Sequence, residues 1–416
     1  MALAAIVAPN AVEEMRVGRK LLEELALKIL YITGELSLRD LAAQMRLSLG
    51  VVEELFQRLR KEQLCEVTGM VGGIHRIVVT SQGRARALEL LSLSQYAGPA
   101  PVSLPDYVSR IRTQTVRDLD VHPADIQRAF RNLVVRERTL NEIGAAVVSG
   151  KTLLLYGPTG TGKTTIAETL SELYANDHVW IPYAVEVDGQ IITVYDPVVH
   201  ESVEDPVPDH SDDRWILCKR PRVLVGGELT IEMLDLQFNP VTKFYSGPVQ
   251  MKASNGLLII DDFGRQRIRP AELLNRWVVS LDRRIDFLTL AGGRKIEIPF
   301  DLFVVLATNL DPATMVDEAF LRRLQTKIKV DYITREQFHG ITRGVCDQLG
   351  LVYQPSIVDS LINVITQDLK QQLRACYPRD IAQQICWAAR YEQRTPQLNW
   401  DSVAQACRSY FLPPQP

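Results

Sequence analysis

A chain of 416 residues is too long for one ordinary hydrophobic core and predicts two or three domains. Its net charge of -3 excludes a generally basic nucleic-acid-coating protein, though not a local basic groove. No apolar run reaches the about 18 residues of a membrane span, and Met1 to Pro9 is short and lacks a basic leader, so it does not read as a signal peptide. A cytoplasmic protein with no membrane insertion is expected. Cysteines 65, 218, 346, 376, 386 and 407 are scattered without a CxxC pair, which reads as free thiols in a reducing compartment.

In chain order, Leu21 to Ile32 reads as an amphipathic helix. Ser37 opens a second helix through Met45, with Asp40 completing a capping box, and Ser48 opens a third to about Lys61. Leu64–Thr68 and Ile74–Thr80 read as strands joined by the loop Gly69 to Gly73, and Ser81 to Ser92 as a further helix. Three helices, a two-stranded wing and a trailing helix predict a winged helix-turn-helix over residues 1–96. Its third helix begins Ser48-Leu-Gly-Val-Val-Glu-Glu54, and Glu53 and Glu54 would be repelled by phosphates. Residues 1–95 hold 12 Lys and Arg against 11 Asp and Glu. Docking onto a protein is favoured over DNA binding, which stays open through Arg58, Arg60 and Lys61.

Residues 97–106 contain Gly98-Pro-Ala-Pro-Val-Ser-Leu-Pro105, a stiff proline-rich linker. A large α/β domain is expected over 107–332, beginning with a helix near Tyr107. Lys151 to Tyr156 is a short apolar strand, and Thr165 to Leu173 has helical character. Between them Gly157-Pro158-Thr159-Gly160-Thr161-Gly162-Lys163-Thr164 fits GxxxxGK[ST], a loop that binds nucleotide phosphates. Its glycines let backbone N–H groups converge on phosphate, and the new helix turns its positive end the same way. Residues 157 to 165, ending at Thr165, form the expected ATP cradle, Lys163 neutralises the β- and γ-phosphates, and the Thr164 hydroxyl ligates Mg²⁺. Leu133 to Val135 lies where an adenine-contacting segment is expected.

Gly256 to Asp262 is an apolar strand ending in two carboxylates. Asp261 is expected to hold Mg²⁺, and Asp262 to orient and deprotonate the attacking water. Asp301 to Asn309 is another apolar strand, with Asn309 at its tip able to position that water.

The P-loop, the Asp261-Asp262 strand, the strand ending Ala-Thr-Asn309 and then Asp317-Glu-Ala-Phe-Leu-Arg-Arg-Leu324 together resemble an AAA+ ATPase over about residues 107–400. The resemblance implies a P-loop NTPase core, a parallel sheet flanked by helices, with a C-terminal helical lid at 333–416. It makes Asn309 sensor 1 and Arg322 and Arg323 candidates for an arginine finger that completes a neighbour's site. Tyr377-Pro-Arg-Asp380 resembles the sensor 2 motif, which gives Arg379 a γ-phosphate contact in cis. It further implies a homo-oligomeric ring, a hexamer, that hydrolyses Mg-ATP and remodels a protein partner. Most members carry Asp-Glu where this chain has Asp261-Asp262, one methylene shorter, and a misplaced base is a slow base. A DNA-directed regulator or transposition helper and a slow-hydrolysing ATP switch are the rival readings.

Arg284 to Pro299 reads as a hairpin turned on Gly292-Gly293. Its place resembles the pre-sensor-1 hairpin group, and Tyr245-Ser-Gly-Pro-Val-Gln leans toward the MoxR-like branch. The long interval between Gly157 and Asp261 is expected to hold a hairpin turned on Asp188-Gly189, an acidic loop from Glu201 to Asp213 with His200 and His210, and a core helix over Glu228 to Leu236. Lys243, Phe244 and Tyr245 read either as core packing or as residues that grip a substrate in a central pore.

Overall fold

The computed structural model describes residues 6–118, 120–203, 211–315 and 321–411. In the N-terminal part, helix α1 (Arg19–Thr33) precedes strand β1 (Leu36–Ser37), α2 (Leu38–Met45) and α3 (Leu49–Lys61). Strands β2 (Cys65–Val71) and β3 (Ile74–Val79) and helix α4 (Ser81–Leu93) follow. In α1, Leu22, Leu25, Ala26, Ile29 and Leu30 recur at helical spacing and are buried against the other helices. The capping box forms: the Asp40 N–H donates to Ser37 Oγ at 3.1 Å and the Ser37 N–H to Asp40 Oδ2 at 3.3 Å. The three strands pair antiparallel in the order β1-β3-β2. The expected Gly69–Gly73 loop is shorter than the sequence suggested. A bulge between Val67 and Gly69 lets Gly69 stay paired with Arg76, so only Gly72 and Gly73, at φ 58° and 80°, make the turn.

The proline-rich segment is held against its neighbours. The Ala100 N–H donates to Met45 O at 2.8 Å, and β4 (Val102–Ser103) pairs parallel with Val185 and Glu186 before α5 (Leu104–Thr113) begins. Helices α6 (Pro123–Ala129) and α7 (Glu137–Ser149) lead to β5 (Leu153–Tyr156) and α8 (Lys163–Thr169). Then comes a β-rich insert: β6 (His178–Pro182), β7 (Ala184–Val187), β8 (Gln190–Thr193) and β9 (Trp215–Lys219). The hairpin on Asp188-Gly189 forms between β7 and β8. Core strand β10 (Arg222–Val225) follows. The helix expected over Glu228 to Leu236 is absent. Only Glu232–Leu234 makes a single tight turn, because the Glu228 carboxylate bonds back to the Gly226 N–H at 2.9 Å and β-branched Thr230 and Ile231 follow at once. Strands β11 (Gln237–Phe238) and β12 (Tyr245–Ser246) then add to the insert sheet, whose order is β11-β12-β8-β7-β4.

The core follows as α9 (Val249–Lys252), β13 (Leu257–Ile260), α10 (Pro270–Arg283), hairpin strands β14 (Ile285–Thr289) and β15 (Lys295–Pro299), β16 (Phe303–Thr308), α11 (Pro312–Met315) and β17 (Thr326–Lys329). A five-stranded, wholly parallel sheet of order β10-β13-β16-β5-β17 is flanked by helices, which is the α/β class expected from the sequence. Strands β13 and β16 are buried along their whole length, as unbroken apolar runs in a doubly covered parallel sheet must be. The last described part is helical: α12 (Arg335–Leu349), α13 (Pro355–Asn363), α14 (Tyr377–Tyr391) and α15 (Trp400–Tyr410), packed about Phe338, Val358, Ile381 and Val403. Among the described residues, no helix is long and apolar enough to cross a membrane.

Candidate nucleotide site

Parallel register decides where the chemistry collects. Tyr156 of β5 pairs with Thr308 of β16, and Ile260 of β13 pairs with Leu306. The residues that follow these strands, the P-loop, Asp261-Asp262 and Asn309, therefore emerge at the same sheet edge. That is the edge where open parallel sheets bind ligands. There they line a cavity of about 490 Å³.

The glycines of the loop are demanded by its shape. Gly157 stands at φ 138°, and a Cβ there would sit 2.3 Å from the carbonyl oxygen of Val330. Gly160 stands at φ 77°, and a Cβ there would meet Cys376 Sγ at 2.7 Å. The Lys163 ammonium donates to the carbonyl oxygens of Gly157 at 2.9 Å and Pro158 at 2.7 Å, so these two residues hold the lysine while Thr159 to Thr165 face the cavity. Burial pulls the Lys163 pKa down, against the pull of Asp261 and Asp262 upward. A partly desolvated cation beside a glycine cradle at a helix N-terminus is matched to a polyanion.

The Thr164 hydroxyl lies 3.0 and 2.9 Å from the two oxygens of Asp261. Asp261 is itself set by its N–H on Val225 O at 2.9 Å and by Gln266 Nε2, which donates to its backbone oxygen at 2.7 Å. A hydroxyl and a carboxylate this close, beside a phosphate cradle, would suit a divalent cation. Elsewhere, no group of three or more His, Cys, Asp or Glu side chains suits a metal among the described residues. Asp262 is exposed and occupies the left-handed region at φ 48°, with its N–H donating to Asp261 Oδ1 at 2.9 Å. Asp tolerates that conformation far better than most residues with a side chain. The shorter carboxylate thus suits its backbone. Asn309 Nδ2 donates to Thr159 Oγ1 at 3.3 Å and ties the β16 tip to the P-loop.

The far wall comes from two other regions. Leu133, Val134 and Val135 line it, as do Gly340 and Gly344 of α12 and Arg379 at the start of α14. Helix α14 reaches the loop directly, since the Cys376 N–H donates to Gly160 O at 3.1 Å. Arg322 is exposed and Arg323 ion-pairs with Asp282 at 3.3 Å; neither lines this cavity. Asp317 to Phe320 of the motif before them lie outside the described residues.

Sequence reading missed Gly340, Gly344, Cys376 and Asp380, all of which line the cavity. Two glycines four apart in the segment expected to be a helical lid are the available signal for a close approach, and Gly340 indeed lies against Val134. Of the two readings for Lys243, Phe244 and Tyr245, packing is what the structure has. Tyr245 is buried and its hydroxyl accepts from the Ala291 N–H at 2.7 Å, Phe244 packs edge-on against Tyr96, and Lys243 Nζ donates to Ser92 O. His200 is buried, with Nδ1 accepting from the Asp196 N–H at 2.9 Å and Nε2 2.8 Å from Lys252 O. His210 and the centre of the acidic loop, 204–210, lie outside the described residues.

Residues 334–409 match a family described as a domain of unknown function (DUF8689). No curated protein matches the chain. Among solved structures, the chain is similar to the RuvB Holliday junction branch migration motor of Thermotoga maritima, at 13% identity and a TM-score of 0.38, over 66% of this chain and 69% of that one. A single-residue variant of that motor gives 13% identity and a TM-score of 0.37 over 71% and 72% of the two chains. Likenesses this distant leave the functional argument to the residues of the chain itself.

Proposed function

We propose that the chain is an AAA+ ATPase that binds and hydrolyses Mg-ATP. The observation that carries this reading is the convergence of Lys163, the Thr164–Asp261 pair, Asp262, Asn309 and Arg379 on one cavity from separate segments of the sequence. Residues 157–165 hold the triphosphate, with Lys163 turning from the loop carbonyls to the β- and γ-phosphates. Thr164 and Asp261 hold Mg²⁺, which when bound draws charge off the phosphate oxygens. Asp262 takes a proton from the attacking water as the bond to the β,γ-bridging oxygen breaks, Asn309 orients that water, and Arg379 contacts the γ-phosphate.

The domain division that goes with this reading is a winged helix at 1–96, a linker at 97–106, an ATPase domain at 107–332 and a lid at 333–416. The helical core about Phe338 and the family match at 334–409 support a separate lid. A ring, a hexamer, places Arg322 or Arg323 at a neighbour's γ-phosphate, and their position off their own cavity suits that role. Mixing tests it: Lys163→Ala and the double variant Arg322→Ala/Arg323→Ala, each inactive alone, regain turnover together if the arginines act in trans. No recovery at any ratio removes them as fingers.

The N-terminal module fits docking to a protein better than reading DNA. Residues before α1 cover the start of α3, where Ser48 Oγ donates to Pro9 O at 3.4 Å and the Val12 N–H to Glu54 Oε2 at 3.5 Å. Glu54 pairs with Arg19 at 2.6 Å, and Arg58 with Glu23 at 3.2 Å. A groove-reading helix needs that end open. Salt-sensitive duplex binding by the full chain, lost on Arg60→Ala/Lys61→Ala, would favour the DNA reading instead. A hydrolysis-blocked Asp262→Asn protein, loaded with Mg-ATP, is expected to retain a protein partner.

A further inference from the structure

The start of α14 carries both the P-loop contact and Arg379, so whatever fixes it also sets the nucleotide site. Its junction is Asp380. The Tyr410 hydroxyl at the end of α15 donates to Asp380 Oδ2 at 2.6 Å. The same hydroxyl lies 3.9 Å from Cys376 Sγ, and the Cys376 N–H is the group that bonds Gly160. The Asp380 N–H donates in turn to Cys376 O at 3.0 Å, which closes the turn. Around this chain of contacts, Tyr377, Tyr410 and Phe411 pack edge to face, with ring centroids 4.9 to 5.8 Å apart. Burial and its bond to Asp380 both push the Tyr410 pKa up, so the hydroxyl keeps its proton as donor.

We propose that Tyr410 is a positioning residue for the nucleotide site. It acts through Asp380 to hold the first turn of α14, and with it Cys376 against Gly160 and Arg379 in the cavity. Tyr410 touches no nucleotide itself and is absent from the cavity lining. A hydroxyl bond to a carboxylate is among the stronger neutral-to-charged hydrogen bonds. Its loss frees the Asp380 side chain and lets the turn drift while the aromatic packing stays.

The proposal rests on the ATPase reading, and its test separates the two. Binding of Mg²⁺ with a non-hydrolysable ATP analogue is measured by titration calorimetry on the full chain, beside turnover and melting temperature. Tyr410→Phe keeps the ring contacts and is expected to weaken binding about tenfold with the melting temperature held close to that of the parent. Asp380→Leu, which keeps the approximate size of the junction and removes the acceptor, is expected to weaken binding by a similar factor, and the double variant no further than the weaker single one. Parent-like affinity in Tyr410→Phe, or multiplying effects in the double variant, overturns the proposal. A parent protein that binds no analogue instead overturns the ATPase reading.

Discussion

The edge of the parallel sheet and the β-rich insert beside it are both well packed, yet they are built on opposite principles. At the sheet edge each functional group follows its strand within one or two residues, as Asp261 follows β13 and Asn309 follows β16. In the insert and the hairpin packed against it, order comes from contacts between separate segments. Asp286 at the base of the β14–β15 hairpin is fully buried and receives bonds from Arg276, Ser280 Oγ at 3.1 Å and Gln250 Nε2 at 2.9 Å. At the hairpin's other end Arg294 pairs with Asp188 at 2.8 Å, joining the turns of two hairpins. Leu288, Leu290, Ile296 and Ile298 fill the same core as Val185 and Ile192. The hairpin is therefore a fixed part of a second β layer, not a free finger. The cavity groups are set at the ends of their own strands, and the second layer by cross-links between segments.

Substitutions can separate the two regions. The largest effect is expected for Asp262→Asn, which keeps the φ 48° backbone and removes the proposed proton acceptor; turnover should fall by about 100-fold or more with unchanged thermal stability. Asp262→Glu should not exceed the parent rate, because a longer side chain gains nothing at a left-handed position. Asp286→Ala should do the reverse. It leaves Arg276 and Gln250 without their buried partner and should cost about 3–5 kcal/mol in denaturant unfolding, while nucleotide affinity in the folded fraction is kept. If it abolishes binding outright, the two regions are not separable.

A smaller effect should appear with pH. Burial lowers the His200 pKa, so the fold favours the neutral ring that accepts from Asp196 N–H. The stabilisation is complete above the unfolded histidine pKa of about 6.5 and is lost as pH falls through the lower folded value. Unfolding midpoints between pH 7 and 5 should drop more for the parent than for His200→Gln. The smallest effect belongs to Arg294→Ala, since its ion pair is exposed and should be worth no more than about 1 kcal/mol.

The same division explains what could be read in the sequence. That Lys163, Thr164, Asp261, Asp262 and Asn309 share one cavity is legible because apolar run, turn and polar tip are contiguous, and a parallel sheet aligns such tips without further information. Strand and helix starts carried local signals too, as at Ser37-Asp40. The helix expected over Glu228 to Leu236 does not form, because the turn there is set by Glu228 bonding back to Gly226 and by buried Leu229 and Leu234. The α14 contact with Gly160 joins residues over two hundred positions apart, and no local pattern encodes it.

The most direct measurement is steady-state phosphate release from Mg-ATP by the purified chain and by Lys163→Ala. Turnover in the parent that falls by about 100-fold or more in the variant, with both proteins equally folded, is what the assembled cavity predicts. Equal rates in the two, or none in the parent under conditions where it binds Mg-ATP, would contradict hydrolysis at this site.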